Sequence, residues 1–226
     1  MASALKKKEL RRSPLAEWLV RTVQFAQARW KLVLAAAAAV CLVGAAGIAY
    51  WWHQEQVESE AARALARALV ASRGGQPGTP GTPDEGMKGF REVIQQNRGT
   101  RSAEEAFIAL GNLQYDAGRV DEALGSFSEY LGTYSRGRFR MVASLGKAYA
   151  QEAKGDLHGA AQTLSDALDR DKNNPLAGEV YMSLARLYEG LKKPAEALRI
   201  YGQVVERYGQ TQWSQHALKR MSAIKQ

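Results

Sequence analysis

The chain has 226 residues, of which 46% are hydrophobic and one is cysteine. That leaves room for one sizeable domain with appendages and excludes a collagen-like chain or a disulfide scaffold. Thirty-one Lys+Arg stand against 23 Asp+Glu, a net +8 that invites a nucleic-acid reading. Residues 1–31 alone hold eight basic and two acidic side chains, a net of +6, and the other 195 hold 23 and 21, a net of +2. The excess is therefore a property of the N-terminal arm.

Directly after that arm, residues 32–52 read LVLAAAAAVCLVGAAGIAYWW, 21 residues without a charge. At about 1.5 Å per residue this run matches the roughly 30 Å hydrocarbon core of a bilayer. Trp30 lies at one end and Tyr50, Trp51 and Trp52 at the other, the positions at which amphipathic rings meet the headgroups. Lys31 and the other basic residues precede the span, and Glu55, Glu58 and Glu60 follow it. The Lys/Arg bias predicts a single-pass protein with a cytoplasmic N-terminus and the long C-terminal part on the far side of the membrane. The basic region is too long and the apolar core too extended for a cleaved signal peptide, so an uncleaved anchor is expected. Within the arm, Ser13-Pro14 opens a helical pattern whose apolar face includes Leu15, Trp18, Leu19 and Val23. Such a helix would lie on anionic lipid, with Trp18 at the interface. The basic run KKKELRR lacks a base-stacking platform or helix-turn-helix pattern, so nucleic acid is not expected as a partner.

Residues 53–72 continue as a helix, polar first and then Ala/Leu-rich. Residues 73–86, rich in Gly and Pro, read as a linker before a domain at 87–226. That domain is internally repetitive. Ala123, Ala160 and Ala197 are each 37 apart, and Phe127, Leu164 and Tyr201 repeat the interval four residues on. Upstream stand three Leu-small pairs, Leu110-Gly111, Leu145-Gly146 and Leu184-Ala185. A small residue lets two helices approach while a large one fills the space beside it. Helix breaks fall at Gly118, Gly155 and Lys192-Lys193-Pro194. Aligned on the Leu-small pairs, the second unit carries two extra residues in its first helix or turn.

These units resemble tetratricopeptide repeats, helix pairs of about 34 residues, over residues 102–208. The segment WSQHALKRMSAIK would cap the array at one end and MKGFREVIQQ (87–96) at the other. The expected fold class is all-α, a single N-terminal transmembrane helix followed by a helical solenoid of three repeats. The order of basic arm, amphipathic EWLVRTVQFAQARWKLVL, anchor and WWHQEQVESEAARA is similar to the YfgM-type ancillary subunits of the bacterial Sec translocon. That resemblance implies a bacterial inner-membrane protein with its C-terminal domain in the periplasm, beside the translocon, with translocon subunits, exported chains or periplasmic chaperones as partners. A scaffold subunit of another envelope complex (division, respiratory or secretion machinery) is the alternative. The ending VVERYGQTQWSQHALKRM also looks like the periplasmic division coordinator of the Tol-Pal system, a family with a coiled-coil start not seen in this sequence.

No GxSxG, HExxH or P-loop occurs, and His53, His158 and His216 lack neighbours at metal-ligand spacing. Neither an enzyme, a cofactor, a metal nor a small-molecule substrate is expected. A binding surface is. In such arrays the first helix of each pair lines a concave groove that receives extended or helical ligands. The Leu-small register assigns Ile108, Asn112, Tyr115 and Asp116 to it from the first unit, Arg140, Ala143 and Lys147 from the second, and Met182, Arg186 and Glu189 from the third. Arg136, Arg138 and Arg140 form a basic turn between the first two units, read either as a solvated loop or as a contact for an acidic partner or lipid.

Overall fold

The computed structural model describes residues 29–73 and 82–224. Among them are nine helices: α1 (Trp30–Arg73), α2 (Pro83–Gln96), α3 (Arg101–Asp116), α4 (Val120–Thr133), α5 (Arg140–Ala153), α6 (Leu157–Arg170), α7 (Ala177–Gly190), α8 (Pro194–Tyr208) and α9 (Gln212–Ile224). Chain contacts separate two units, Met1–Glu55 and Gln56–Gln226.

The first unit contributes the N-terminal part of the 44-residue α1. Its best window has a mean hydropathy of 2.5, and among the described residues this is the one helix long and apolar enough to cross a membrane. Leu32, Leu34, Val40, Leu42, Val43 and Ile48 are all exposed. A helix apolar on every side has no stable place in water except inside a larger core. Trp30, Lys31, Tyr50, Trp51 and Trp52 are exposed as well, and the Lys31 Nζ sits 5.9 Å from the Trp30 ring centroid. Trp18 and the amphipathic lead-in lie outside the described residues.

In the second unit the Gly/Pro-rich stretch yields to helix sooner than its composition suggests. Pro83 is already in the first turn of α2, because Thr82 accepts the Glu85 N–H, Pro needs no donor there, and Asp84 and Glu85 favour the positive helix end. From there the chain stacks helix on helix, each packing against the next. α3 also reaches α5, and α7 reaches α9, which puts these first helices on the inner side of the stack.

The period is uniform. First helices end at Asp116, Ala153 and Gly190, and second helices begin at Val120, Leu157 and Pro194, each 37 apart. The turns between them place Gly118, Gly155 and Lys192 at positive φ, again 37 apart. The second unit therefore has no insertion, a correction to the expectation drawn from its Leu-small pair. The cause is one aromatic ring. A Cβ on Gly111 would come within 2.6 Å of the Phe127 ring, and a Cβ on Gly146 would collide with the same ring. The two Leu-Gly pairs look alike because both admit Phe127, Gly111 from its own pair and Gly146 from the next. The true counterparts of Gly111 are Ala148 and Ala185, both buried at the same interval.

The buried residues form two clusters. One joins Leu65 and Ala68 of α1 with Met87 and Phe90 of α2, Phe107 and Leu110 of α3, and Phe127 and Tyr130 of α4. The other runs from Met141 and Leu145 of α5 through α6, α7 and α8 to Ala217 of α9. Burial of each large side chain contributes about 1.5–3 kcal/mol.

Candidate functional site

With the period fixed at 37, the inner-layer positions can be read by superposition of the pairs. Ile108 corresponds to Leu145 and Met182, Asn112 to Tyr149 and Arg186, and Tyr115 to Glu152 and Glu189. Arg140, Ala143 and Lys147 are each displaced by two positions from the residues that truly match the first unit.

The structure places each of these side chains plainly. Ile108 and Met182 are half-buried against the two core clusters. Asn112, Tyr115 and Asp116 are exposed on α3, Tyr115 at 37% of its free area. Arg186 donates to the Glu152 carboxylate, and Arg220 of α9 donates to that of Glu189, so successive first helices are stapled by ion pairs. Glu189 also accepts the Tyr201 hydroxyl at 2.5 Å. Burial opposes its ionisation, yet the Arg220 and Tyr201 hydrogen bonds outweigh that and hold its carboxyl below the usual range. The Tyr201 hydroxyl is pushed up to about 12 by burial and by Glu189. Sequence reasoning missed Tyr149, Glu152 and Arg220. The 37-residue interval that fixed Ala123, Ala160 and Ala197 would have found the first two had it been applied to the first helices.

The staple is absent at the first junction. Tyr115 stands where Glu152 and Glu189 stand, and Tyr149 stands where Arg186 stands. The Tyr149 hydroxyl instead lies 3.3 Å from Glu179 Oε1 and from Ser183 Oγ. Burial is the main cause that raises its pKa. The inner face thus changes character along its length, from Ile108, Asn112, Tyr115 and Tyr149 at one end to a paired acid-base ladder at the other. Amphipathic Tyr gives contact area at low entropic cost, and paired charges do not.

Arg140 and Lys147 are elsewhere. The Arg140 guanidinium donates to the carbonyls of Leu131 at 2.7 Å and Tyr134 at 2.8 Å, closing the C-terminus of α4. Lys147 is half-buried on the side of α5 that faces α6. Ala143 is fully buried. Among the described residues no group of three or more His, Cys, Asp or Glu could hold a metal ion.

The tetratricopeptide-repeat family profile matches residues 179–211, which cover most of α7 and all of α8. The fold is a tetratricopeptide-repeat solenoid. A tetratricopeptide repeat protein of Parabacteroides merdae ATCC 43184 superposes with a TM-score of 0.55 at 13% identity, over 76% of this chain and 60% of that one. TPR-like repeats from Podosopora anserina give 0.51 at 17% identity, over 74% and 95%. MamA gives 0.51 at 12% identity, over 67% and 73%. No curated protein matches the sequence. Solenoids of tetratricopeptide repeats are protein-interaction scaffolds, and the inner face described above is where their first helices lie.

Proposed function

We propose that this chain is a membrane-anchored docking protein of the bacterial envelope, with its repeat domain in the periplasm. Supporting the anchor are the apolar first half of α1, the aromatic residues that bound it at Trp30 and at Tyr50, Trp51 and Trp52, and the +6 arm before it. The observation that carries the docking role is the unstapled first junction, where exposed Asn112 and Tyr115 lie beside half-buried Ile108 and Tyr149 without the ion pairs that close the later ones. An extended or helical segment of a partner fits such a face. Asp116 at its rim would favour a basic flank on that segment. The arrangement of arm, anchor and repeats resembles the Sec-translocon accessory subunits. The reading is that the domain hands emerging exported chains to periplasmic chaperones.

A photo-crosslinking residue at Tyr115 or Asn112, activated in intact cells, tests this directly. Capture of translocon subunits or exported chains supports the reading. Capture of only division or respiratory-assembly proteins would move the chain to another envelope complex. A topology reporter joined after Gln226 that reads out as cytoplasmic would overturn both the location and the role.

A further inference from the structure

The middle repeat departs from its neighbours at four positions that share one place in space. At each of them both flanking repeats are aliphatic or aromatic, and the middle one is charged or a small hydroxyl residue. Arg140 stands between Ala103 and Ala177, Ser144 between Phe107 and Tyr181, Lys147 between Leu110 and Leu184, and Asp171 between Tyr134 and Tyr208. In the first repeat these positions, with Tyr130, form an aromatic plug. Phe107 and Tyr130 meet at 6.0 Å between centroids, and Tyr130 stacks on Tyr134 at 5.1 Å. In the third repeat Tyr181 and Tyr208 meet at 6.4 Å, with the Arg207 guanidinium 5.8 Å from the Tyr181 ring centroid. Arg170 is the counterpart of Arg207 and has Ser144 where that ring would be.

Where the plug is missing there is a cavity of about 710 Å³, lined by Arg140, Ser144, Lys147, Arg170 and Asp171 and by the turn that carries Arg136 and Arg138. It holds five basic side chains against two acidic ones, Asp166 and Asp171. Arg138 pairs with Glu105 outside it, and Arg140 is committed to the α4 carbonyls. Arg136, Lys147 and Arg170 have no ion-pair partner among the described residues. A chance loss of packing would leave a small apolar void. Here the plug is exchanged for cations, a hydroxyl and a carboxylate around a space the size of a small-molecule site.

We infer that this cavity binds a small organic ligand bearing phosphate or carboxylate groups. Arg136, Lys147 and Arg170 would neutralise its oxyanions, and Asp166 and Asp171 would accept from its hydroxyls. The site lies between α5 and α6, away from the inner face, and does not rest on the docking or membrane reading. It was hidden from the sequence by the two-residue misalignment, which set Ser144 and Lys147 against the wrong neighbours.

The test is calorimetric titration of the full chain in neutral detergent at about 0.15 M salt, with pyrophosphate and with citrate as probes. The comparison is with Lys147→Leu and Ser144→Phe, each of which restores the residue type of the flanking repeats. The expected result is saturable binding of at least one probe, weakened at least 10-fold by either substitution, with the thermal midpoint of Lys147→Leu unchanged or raised. Lys147→Leu keeps the test decisive if Ser144→Phe fails to fold. Failure of both probes to bind at 10 mM (about the weakest contact such a site would make) overturns the inference. So does binding that both substitutions leave unchanged, or binding of an acidic peptide where neither probe binds.

Discussion

The carboxylate of Glu58 accepts the Ser102 hydroxyl at 2.8 Å and the Ser102 N–H at 3.0 Å, so a residue of α1 caps α3 from 44 positions upstream. The Arg101 N–H adds a third bond at 2.8 Å. Thr100 supplies the local cap, and Glu58 satisfies donors that Thr100 does not reach. Burial opposes ionisation of Glu58, but these bonds prevail and lower its pKa below the usual glutamate value. A carboxylate with a lowered folded-state pKa contributes fully above its unfolded value, and the contribution is lost as pH falls through the folded one. Glu58→Gln is therefore expected to destabilise the repeat domain by about 1 kcal/mol at neutral pH. The deficit should shrink as pH falls below the usual glutamate range, because the unfolded chain takes up the proton before folded Glu58 does. Urea unfolding at pH 7 and pH 3.5 checks this, and a deficit equal at both would contradict it.

A second expectation concerns Phe127, which is 1% exposed and lies between the glycines of two helices. Gly→Ala inside a helix ordinarily gains close to 1 kcal/mol from propensity. At Gly146 the new methyl would meet a ring with nowhere to go, and overpacking of that kind costs about 1–3 kcal/mol. Gly146→Ala is expected to lower the thermal midpoint, and Gly125→Ala, where a Cβ meets nothing within 4 Å, to leave it equal or higher. A midpoint raised by Gly146→Ala would show that the α4–α5 junction is looser than described.

How much of this was legible beforehand depends on which interval was read. The alanines at 123, 160 and 197 are all fully buried at equivalent places in the second helices, so their spacing reported the period faithfully. The Leu-Gly pairs reported a shared ring instead, and Phe127 made Gly146 look like the counterpart of Gly111. The helical class and the repeat fold followed from composition and small-large spacing. The Glu152–Arg186 and Glu189–Arg220 pairs did not, because ion pairs between repeats depend on where side chains from different helices meet. The cavity in the middle repeat was invisible for a different reason, since the two-residue misalignment hid the exchange of aromatic and aliphatic residues for Ser144 and Lys147.

Lys192 tests the period at its weakest point. It occupies, at φ 57°, the turn position that Gly118 and Gly155 fill at 75° and 82°. A β-carbon in this region costs about 1 kcal/mol, which glycine avoids. Lys192 is exposed, so its charge has little packing to lose. Lys192→Gly is expected to stabilise the domain by about 0.5–1 kcal/mol, the strain relieved less the added unfolded-state entropy. Chemical denaturation of the two proteins under identical salt measures it. A destabilised variant would mean that the lysine makes a contact worth more than its backbone strain.

The last junction of the array depends on Glu189, whose side chain keeps only 18% of its exposure. It joins Arg220 of α9 to Tyr201 of α8 and closes the solenoid over Ala217 and Val204, both fully buried. Arg220→Ala removes the charge partner and leaves a largely buried carboxylate with one phenolic donor. A loss of about 1–2 kcal/mol is expected, well above that of an exposed pair, because the remaining charge stays desolvated. The folded-state pKa of Glu189 is lowered, so the wild-type advantage should be complete above the usual glutamate range and fade as pH falls through that lowered value. Amide exchange localises the effect: protection should fall in α9 and the end of α8, with α3 and α4 unchanged. A Glu189→Gln, Arg220→Ala double variant should be less destabilised than the sum of the single ones, since the glutamine no longer strands a charge. Simple additivity would mean that the pair is a solvated contact and that apolar burial alone holds α9.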